Sequence, residues 1–350
     1  MRVFLTGGSG FVGQHLIRKL RAEGHTVLAL ARSVASARKV TDAGAQPLRG
    51  DLAELAGPGT PIWLDRLNDV DAVVHAAARM EFWGDDAGFV ADNHVPTVAL
   101  HEAALKAGVS RFVLISAAGV STGTQRAAVV DESTDDGTPL IAYCRVKLAT
   151  ENALRAAPSP GMTLVILRPP FIWGAGMTTL AETAETAGKG RWVWIDGGRH
   201  IMDFVHVGNL ADAVALSLTH GRHGVPYYVT DGTPMPVRAF FTALLATQGA
   251  DVSAARGIPR AVVAPIAALL DGAARLLRRP SPPPVRADRA GKRLARPRGR
   301  MAGCDPWHPA TRSAPTTTSA RSWSTRRTRR PSPTRRCERA ASSRRSRSTG

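Results

Sequence analysis

Several features of other protein classes are missing from this chain of 350 residues. Its three cysteines, Cys144, Cys304 and Cys337, are widely spaced and form none of the Cys-x-x-Cys or Cys/His patterns that bind zinc, so we predict neither a disulfide framework nor a metal site. The first residues lack the charged leader, long apolar run and small-residue cleavage site of a secretion signal. We therefore expect a cytoplasmic protein.

Acidic residues are scarce towards the end of the sequence. Residues 281–350 hold 19 Lys and Arg against 3 Asp and Glu, a net charge of +16, which leaves +2 on residues 1–280. Because the basic charge is confined to this tail, the formal charge of +18 does not indicate a nucleic-acid binder, and we expect no specific nucleic-acid partner. RNA binding through the arginines of the tail is the alternative.

Residues 285–350 also lack the side chains of a core, since they contain no Ile or Phe and are rich in Arg, Ser, Thr and Pro. We predict that this Arg-rich, low-complexity tail is disordered. The same bias arises when GC-rich DNA is translated out of frame. A frameshift is therefore the origin that we favour for this segment.

The rest of the chain alternates short β-branched apolar runs with segments of helical period, which predicts an α/β fold with a doubly wound parallel sheet. The predicted strands are Val3–Leu5, Thr26–Leu30, Ala72–His75, Arg111–Ser116, Thr163–Leu167 and Tyr227–Thr230. The predicted helices are Gly10–Glu23, Val95–Ala107, Tyr143–Ala156 and Val207–Leu218.

Residues 258–279 place Val262, Ile266 and Leu269 at helical spacing and predict an amphipathic helix. Asp271 interrupts the apolar run before it reaches the roughly 20 residues that a bilayer span requires. We favour a helix that packs on the C-terminal region, and peripheral contact with a membrane is the alternative. The sequence also leaves open whether the chain forms a homodimer.

A glycine-rich segment, Thr6-Gly7-Gly8-Ser9-Gly10-Phe11-Val12-Gly13, follows the first predicted strand and opens the first predicted helix. Glycines at positions 7, 10 and 13 permit a tight turn, let the backbone approach a pyrophosphate at the helix N-terminus, and allow the helix to pack on the strand. In this strand–turn–helix context the pattern predicts a dinucleotide site.

The Thr-Gly-x-x-Gly-x-x-Gly spacing resembles that of the extended short-chain dehydrogenase/reductase family, and other motifs follow in that family's order. Gly50-Asp51-Leu52 is similar to its adenine-binding aspartate, His75-Ala76-Ala77-Ala78 to its cofactor-lining segment, and Asn93-His94-Val95-Pro96-Thr97 to one of its helix starts. The resemblance covers residues 1–284. It implies a Rossmann cofactor-binding core over 1–168 and a mixed region over 169–284, which completes the core and forms a smaller substrate-binding subdomain.

The same resemblance implies an NAD(P)-dependent oxidoreductase. Its implied cofactor-binding residues are Gly7, Gly10, Phe11, Val12, Gly13, Arg32, Asp51, Leu52, Ala76, Ala77, Ala78, Asn93, Tyr143, Lys147 and Pro170.

The end of the second predicted strand, Leu30-Ala31-Arg32-Ser33, bears on which nicotinamide cofactor binds. An acidic side chain there would hydrogen-bond the ribose 2′-hydroxyl of NAD, whereas a guanidinium can bind the 2′-phosphate of NADP. With Arg32 at this place we favour NADP, and NAD is the alternative.

Tyr143 and Lys147 are four residues apart and lie on one face of a predicted helix. A free tyrosine has a pKa of about 10. We expect the Lys147 cation, together with an oxidised nicotinamide ring, to stabilise the phenolate and lower that pKa. Tyr143 would then exchange a proton with a substrate oxygen as hydride moves. The resemblance adds a hydrogen bond from Lys147 to the nicotinamide ribose.

The family usually has a Ser or Thr just after its fifth strand, where the hydroxyl polarises the substrate oxygen. In the run Ile115-Ser116-Ala117-Ala118, alignment puts Ala117 at that place and Ser116 one residue earlier. Neighbouring side chains of a strand point to opposite faces, so the register decides which of the two reaches the site. Ser116 is the candidate hydroxyl beside Tyr143 and Lys147.

Two later segments, Asp203-Phe204-Val205-His206-Val207-Gly208-Asn209 and Tyr228-Val229-Thr230-Asp231-Gly232, resemble the 3β-hydroxysteroid dehydrogenase branch of the family. Its nucleotide-sugar branch usually has an arginine where this chain has Met202. The resemblance therefore implies interconversion of a secondary alcohol and a ketone on a small hydrophobic, steroid-like substrate. A nucleotide-sugar epimerase or dehydratase that uses Arg199 or His200 is one alternative, and a non-catalytic NADP-binding protein is another.

Overall fold

The computed structural model describes residues 1–266 except 82–84, 124–128 and 133–135, together with Leu269 and Arg296–Pro297. The strands, in chain order, are β1 (Arg2–Thr6), β2 (Thr26–Ala31), β3 (Gln46–Arg49), β4 (Ala72–His75), β5 (Arg111–Ile115), β6 (Val129–Val130), β7 (Thr163–Arg168), β8 (Phe171–Trp173), β9 (Trp194–Ile195), β10 (Ile201–Met202), β11 (Phe204–His206), β12 (Pro226–Tyr228), β13 (Met235–Pro236), β14 (Gly257–Ile258) and β15 (Arg296–Pro297). The α-helices are α1 (Phe11–Ala22), α2 (Val34–Asp42), α3 (Asp86–Phe89), α4 (Val95–Lys106), α5 (Ala142–Ala156), α6 (Thr178–Thr186), α7 (Val207–Ser217) and α8 (Val237–Ala246).

The central sheet has seven parallel strands in the order β12-β7-β5-β4-β1-β2-β3. The chain winds outwards from β1 to β3, crosses to β4, and winds outwards again on the other side. This topology confirms the predicted doubly wound α/β fold. The inner strands are buried on both faces, which explains why their sequences are continuous apolar runs.

The two edge strands differ from the sequence prediction. The sequence does not predict β3, because its Gln-Pro-Leu-Arg segment has neither an apolar run nor a clean alternation, and in the structure this strand is mostly exposed. β12 covers Pro226–Tyr228, whereas the predicted strand covers Tyr227–Thr230. Pro226 has no N–H to donate, and an edge strand tolerates it because the strand pairs on one side only.

Helices cover both faces of the sheet. On one face, Leu16 of α1 and Leu210 of α7 are fully buried in the core that includes the β1 side chain Leu5. On the other face, Leu100 of α4 and Leu154 of α5 are buried in a second core. Each such side chain stabilises the fold by roughly 1.5–3 kcal/mol, so the helices are firmly attached beside the site described below.

The region after β7 contains short strand pairs, β8 with β11, β10 with β13, and β9 with β14, together with α6 and α8. Its interior is aromatic. The rings of Phe204 and Phe240 stack with centroids 3.5 Å apart, and Phe171 and Trp173 pack edge-on against Phe240 at 5.9 and 5.7 Å. This region is the smaller C-terminal part of the fold.

Two predicted segments fall largely outside the described residues. Of the predicted amphipathic helix 258–279, residues 260–266 are helical, and Val262 and Ile266 are about half exposed, at 51% and 50%. Of the predicted tail 285–350, only β15 is described, and it pairs in parallel with β6. In the described part of the chain, no helix is long and apolar enough to cross a membrane.

Candidate active site

The carboxyl ends of β1, β4, β5 and β7 lie at one edge of the parallel sheet, and each is followed by a segment that the sequence predicts to be functional. The winding of the chain reverses between β1 and β4, and in sheets of this kind ligands bind in the crevice at that point. The glycine loop follows β1, and Ala76, Ala77 and Ala78 follow β4. The predicted cofactor segments therefore flank the expected crevice.

The glycine loop leaves no room for side chains. A Cβ on Gly13 would lie 2.1 Å from the Gly7 carbonyl oxygen, and a Cβ on Gly7 would lie 2.7 Å from the Ala77 nitrogen. Gly7 has a φ of +73°, which favours glycine, and its carbonyl accepts from the Gly10 N–H at 3.0 Å. Gly10 is the N-cap of α1, with no side chain over the helix N-terminus. This cradle fits a pyrophosphate group, which needs close backbone approach at that helix end.

The positions after the cradle begin α1. Phe11 and Val12 are half-buried, and Val12 packs on the core beneath the helix. Their backbone therefore forms the first turn of α1, where the sequence predicts contact with the cofactor.

A buried chain of hydrogen bonds joins the two loops. Thr97 donates to the Asn93 carbonyl at 2.5 Å, and His75 Nε2 lies 2.8 Å from the same hydroxyl. Because the Thr97 hydroxyl uses its hydrogen in the bond to the Asn93 carbonyl, it can only accept from His75, so His75 Nε2 must carry a hydrogen. His75 Nδ1 then accepts from the Thr6 hydroxyl at 2.9 Å. The Thr6 oxygen accepts in turn from the Ala77 N–H at 3.2 Å. Neutral His75 therefore links the ends of β1 and β4 to α4.

Burial enforces this neutral state, since it lowers the pKa of His75 to about 3, with the charge of Lys147 acting in the same direction. The sequence marks Thr97 only as the last residue of the Asn93-His94-Val95-Pro96-Thr97 motif, without a role of its own. Its signal is its place four residues after Asn93, where a helical threonine can donate to a carbonyl one turn back.

Asn93 lies in the π-helical turn Val90–His94 and is buried. Its amide oxygen accepts from the Arg79 N–H at 2.7 Å, and its amide nitrogen donates to the Arg79 carbonyl at 3.0 Å. The side chain thus holds the loop that follows Ala78. Asn93 therefore shapes the cofactor-lining loop, and its direct contact with a cofactor, which the resemblance implies, stays a prediction.

Asp51 and Arg32 lie at the ends of adjacent strands. Asp51 caps the 3-10 helix Leu52–Ala56, since its carboxylate accepts from the Ala53 N–H at 3.1 Å and its own N–H donates to Glu54 at 2.9 Å. Arg32 directly follows β2 and is exposed. Because β2 and β3 are parallel neighbours, both side chains lie at the carboxyl edge, and their contacts with an adenosine group stay predictions.

Tyr143 and Lys147 lie on the buried face of α5, at 7% and 4% exposure. The Lys147 ammonium donates to the Ile115 carbonyl at the end of β5, at 3.0 Å, and lies 5.9 Å from the centre of the Tyr143 ring. The Tyr143 ring packs edge-on against Phe89 at 6.2 Å. The fold thus brings the predicted pair together at the carboxyl end of β5, which neighbours β4 and its terminal His75.

Burial controls the titration of this pair. It raises the pKa of Tyr143, with Cys144 adding to the effect, and it lowers the pKa of Lys147 to about 8 against the opposing charge of Glu151. The Lys147 ammonium is directed at the Ile115 carbonyl, and the lowering of the Tyr143 pKa by Lys147 together with a nicotinamide ring stays a prediction. A raised pKa favours the protonated phenol of Tyr143, the form that can donate a proton.

Ser116 is placed differently from its predicted role. Its hydroxyl donates to the buried carboxylate of Glu151, and the side chain is 4% exposed. Ala117 instead packs against the apolar cluster that contains Tyr143 and Phe89. Neighbouring residues at a strand end face opposite ways. In this structure the Ser116 hydroxyl is paired with Glu151, and its predicted role in polarising a substrate oxygen stays a prediction.

Pro170 follows the end of β7 and is half-buried. The Ala118 N–H donates to the Pro169 carbonyl at 2.9 Å, and the Ser116 N–H donates to the Leu167 carbonyl at 2.7 Å. The loop after β7 is thus joined to the loop after β5. This arrangement puts Pro170 at the same edge of the sheet as the other predicted nicotinamide contacts.

Asp231, which the sequence marks only as part of a motif, organises the smaller region. Its carboxylate accepts from the Trp173 indole N–H at 3.0 Å, from the His206 backbone N–H at 2.8 Å and from the Asn209 amide at 2.7 Å. One side chain therefore fixes β8, β11 and α7 relative to one another.

Comparison with known proteins identifies a family of enzymes and relatives that act with this fold. Residues 3–229 match the NAD dependent epimerase/dehydratase family. The chain is 36% identical over 251 residues to a 4-hydroxy-2-methyl-3-oxo-4-farnesyl-3,4-dihydroquinoline-1-oxide ketoreductase from Stigmatella aurantiaca, covering 71% of this chain and 74% of that protein. It is 29% identical over 252 residues to a decarboxylating sterol-4-alpha-carboxylate 3-dehydrogenase from Dictyostelium discoideum, covering 69% and 74%.

Among solved structures, the dTDP-glucose 4,6-dehydratase DesIV from Streptomyces venezuelae, determined with NAD bound, has a TM-score of 0.62 and 25% identity over 74% of this chain and 84% of that one. Further relatives include 3 beta-hydroxysteroid and sterol dehydrogenases, which confirms the resemblance found in the sequence. The chain therefore belongs to the NAD dependent epimerase/dehydratase family, the extended short-chain dehydrogenases/reductases, and is an NAD(P)-dependent oxidoreductase of that family.

Proposed function

We propose that this protein reduces a ketone on a hydrophobic, steroid-like substrate to a secondary alcohol, with NADPH as the reductant and Tyr143 as the proton donor. The observation that carries the proposal is the buried pair of Tyr143 and Lys147 at the carboxyl end of β5. This pair lies at the same edge of the sheet as the glycine cradle, so a substrate between them would have a proton donor on one side.

A nicotinamide cofactor, when bound, would supply a hydride to the carbonyl carbon. Tyr143 would donate its hydroxyl proton to the carbonyl oxygen, so that the ketone takes up one hydride and one proton. Lys147, 5.9 Å from the ring centre, stabilises the phenolate that remains, and a proton from water restores the phenol. In the reverse direction the phenolate of Tyr143 would accept the proton of the alcohol, and burial, which raises the pKa of Tyr143, favours the phenol that reduction uses.

Met202 supports an apolar substrate, because the nucleotide-sugar branch of the family usually has an arginine at this position. Met202 is half-buried on β10 and packs against Phe204 and Phe240. A thioether among aromatic rings offers dispersion contacts and no charge to hold a diphosphate. Arg199 and His200 are exposed. The two relatives named above are a reductase of a farnesyl-bearing quinoline and a dehydrogenase of a sterol, and both of these compounds are largely apolar.

NADP is favoured over NAD by the end of β2. Arg32 is exposed at this strand end, and Ser33 after it caps α2 by accepting from the Ser36 N–H at 3.1 Å. A guanidinium beside a helix N-terminus is well suited to a phosphate. We therefore infer that Arg32 binds the 2′-phosphate.

A nucleotide-sugar epimerase or dehydratase is the second candidate, because a solved protein of similar fold is a dTDP-glucose dehydratase. The test is a screen of ketosteroids, terpenoid ketones and UDP- and dTDP-sugars, followed by the loss of NADPH or NADH absorbance or by sugar product analysis. We expect reduction of at least one apolar ketone, faster with NADPH. Turnover of a nucleotide sugar alone would support the second candidate, and tight NADPH binding with no turnover would indicate a non-catalytic NADP-binding protein.

A further inference from the structure

Two successive residues at the end of β5 contact two successive turns of α5. The Ile115 carbonyl accepts from the Lys147 ammonium at 3.0 Å, and the Ser116 hydroxyl donates to the Glu151 carboxylate. All four residues are buried at these contacts. Because Lys147 and Glu151 are four residues apart on one helix face, the two contacts fix the position of α5 along the end of the strand.

Tyr143 lies on α5 one turn before Lys147, and Ala117 directly follows Ser116. Ala117 packs against the cluster that contains Tyr143, so the same alignment of helix and strand continues to the proton donor. A shift of α5 by one residue would move Tyr143 by about 1.5 Å along the strand end. The Ser116–Glu151 contact therefore lies two turns from Tyr143 on the face that positions it.

Glu151 is itself held rigidly. It is 0% exposed, and Arg168 donates to it through Nε at 3.1 and 3.2 Å and through Nη2 at 2.5 Å. Arg168 ends β7 and also donates from Nη2 to Asp136 at 2.5 Å and from Nη1 to Tyr228 at 3.3 Å. A carboxylate fixed in this way gives the Ser116 hydroxyl a stationary partner, and it joins α5 to the ends of both β5 and β7.

We propose that Ser116 and Glu151 are positioning residues, whose hydrogen bond sets α5 along the end of β5 so that Tyr143 lies beside Ala117 and at the substrate oxygen. The inference rests on the proposed function, because it identifies what holds the proton donor of that reaction.

The first test is Ser116→Ala, which leaves Glu151 paired with Arg168 and so preserves the buried ion pair. We expect kcat to fall about tenfold, less than the ~10²-fold that a 1 Å misplacement can cost, while KM and the Kd for NADPH, measured by tryptophan fluorescence, stay unchanged. Ser121→Ala is the matched control. Ser121 contacts Arg168 and Tyr228 from the other side of the ion pair, so its loss should lower Tm and leave kcat unchanged.

A double-mutant cycle separates positioning from direct catalysis. If Ser116 acts through Glu151, then Ser116→Ala in a Glu151→Gln background should change kcat by less than about twofold, because the partner is already altered. If Ser116→Ala lowers kcat as much in the Glu151→Gln background as in the parent, or if Ser116→Ala alone lowers kcat by ~10²–10³-fold, Ser116 is a direct donor to substrate and the proposal is overturned. Glu151→Asp, which keeps the charge for Arg168, replaces the Gln variant if that variant does not fold.

Two further variants complete the test. Ala117→Ser should raise the rate of hydride transfer in single-turnover experiments, because it adds a hydroxyl beside Tyr143. An Ala117→Ser variant with a slower hydride transfer, or a Ser116→Ala variant with a lower Tm and an unchanged kcat, would overturn the proposal. Tyr143→Phe is assayed in parallel. If Tyr143→Phe keeps full activity, the proposed function fails; if it is inactive while the cycle is additive, only the positioning role fails.

Discussion

Acid should destabilise this protein through His75. The ring is 2% exposed and is neutral in the folded state, because it accepts from Thr6 and donates to Thr97. Protonation would put a charge in this buried site and would leave Nδ1 as a second donor facing Thr6, whose oxygen already accepts from Ala77. The unfolded chain has no such constraint, so it binds the proton more readily.

The size of the effect follows from the two pKa values. His75 has a folded pKa of about 3, against about 6.5 in the unfolded chain. A lowered histidine pKa gives stability that is fully present above about pH 6.5 and is lost as the pH falls towards 3. Between about pH 8 and about pH 5 the free energy of unfolding should fall by roughly 2 kcal/mol from this residue. His101, whose pKa burial lowers to about 4, should act in the same direction.

The perturbation is His75→Gln, whose amide can still donate and accept but does not titrate. Urea unfolding of parent and variant, followed by tryptophan fluorescence at fixed ionic strength, gives both stabilities at each pH. The variant should be less stable than the parent at about pH 8, and the difference should shrink by roughly 2 kcal/mol at about pH 5. The control His220→Gln, at an exposed site, should leave the parental pH dependence. A difference between parent and His75→Gln that is constant with pH would refute the reasoning.

Three further changes test other parts of the account. Arg32→Asp should shift the ratio of kcat/KM values from NADPH towards NADH, because a carboxylate repels the 2′-phosphate, and an unchanged ratio would exclude Arg32 from that contact. Gly13→Ala, whose Cβ would lie 2.1 Å from the Gly7 carbonyl, should weaken NADPH binding and lower stability by about 1–3 kcal/mol, whereas Gly188→Ala, with open space around it, should do neither. Equal losses of NADPH affinity and stability in the two variants would contradict the role assigned to the close contacts of Gly13. Deleting 285–350 removes β15, a strand of two residues, and should leave the Tm and the NADPH affinity essentially unchanged; a large fall in either would show that this segment contributes more to the fold than that short pairing.

The sequence predicts the inner sheet well, because those strands and helices carry strong local signals. Val3–Leu5 and Ala72–His75 read as buried strands and are buried strands. The glycine spacing predicts the cradle for the same local reason, since each glycine is required by a contact within the loop or with Ala77. Edge strand β3 lacks such a signal, because an exposed Gln-Pro-Leu-Arg segment becomes a strand only when β2 is beside it.

The partners of individual site residues could not be predicted in the same way. The bond from Ser116 to Glu151 and the chain through His75 join residues 35 and 69 positions apart, respectively, and depend on how strand ends and helices meet. The pKa of Tyr143 depends on burial, which spacing alone does not report. The sequence therefore indicates which side chains gather at the carboxyl edge, and the fold decides which of them face each other.

Turnover of Tyr143→Phe with an apolar ketone and NADPH tests the central claim most directly. The change removes only the proton-donating hydroxyl, so kcat should fall at least ~10²-fold while the Kd for NADPH stays that of the parent. Tyr227→Phe is the matched control, because that buried phenol accepts from the Arg222 N–H at 2.9 Å, away from the site, and its loss should leave kcat unchanged. A Tyr143→Phe variant with kcat within a few-fold of the parent would contradict the assignment of Tyr143 as the proton donor.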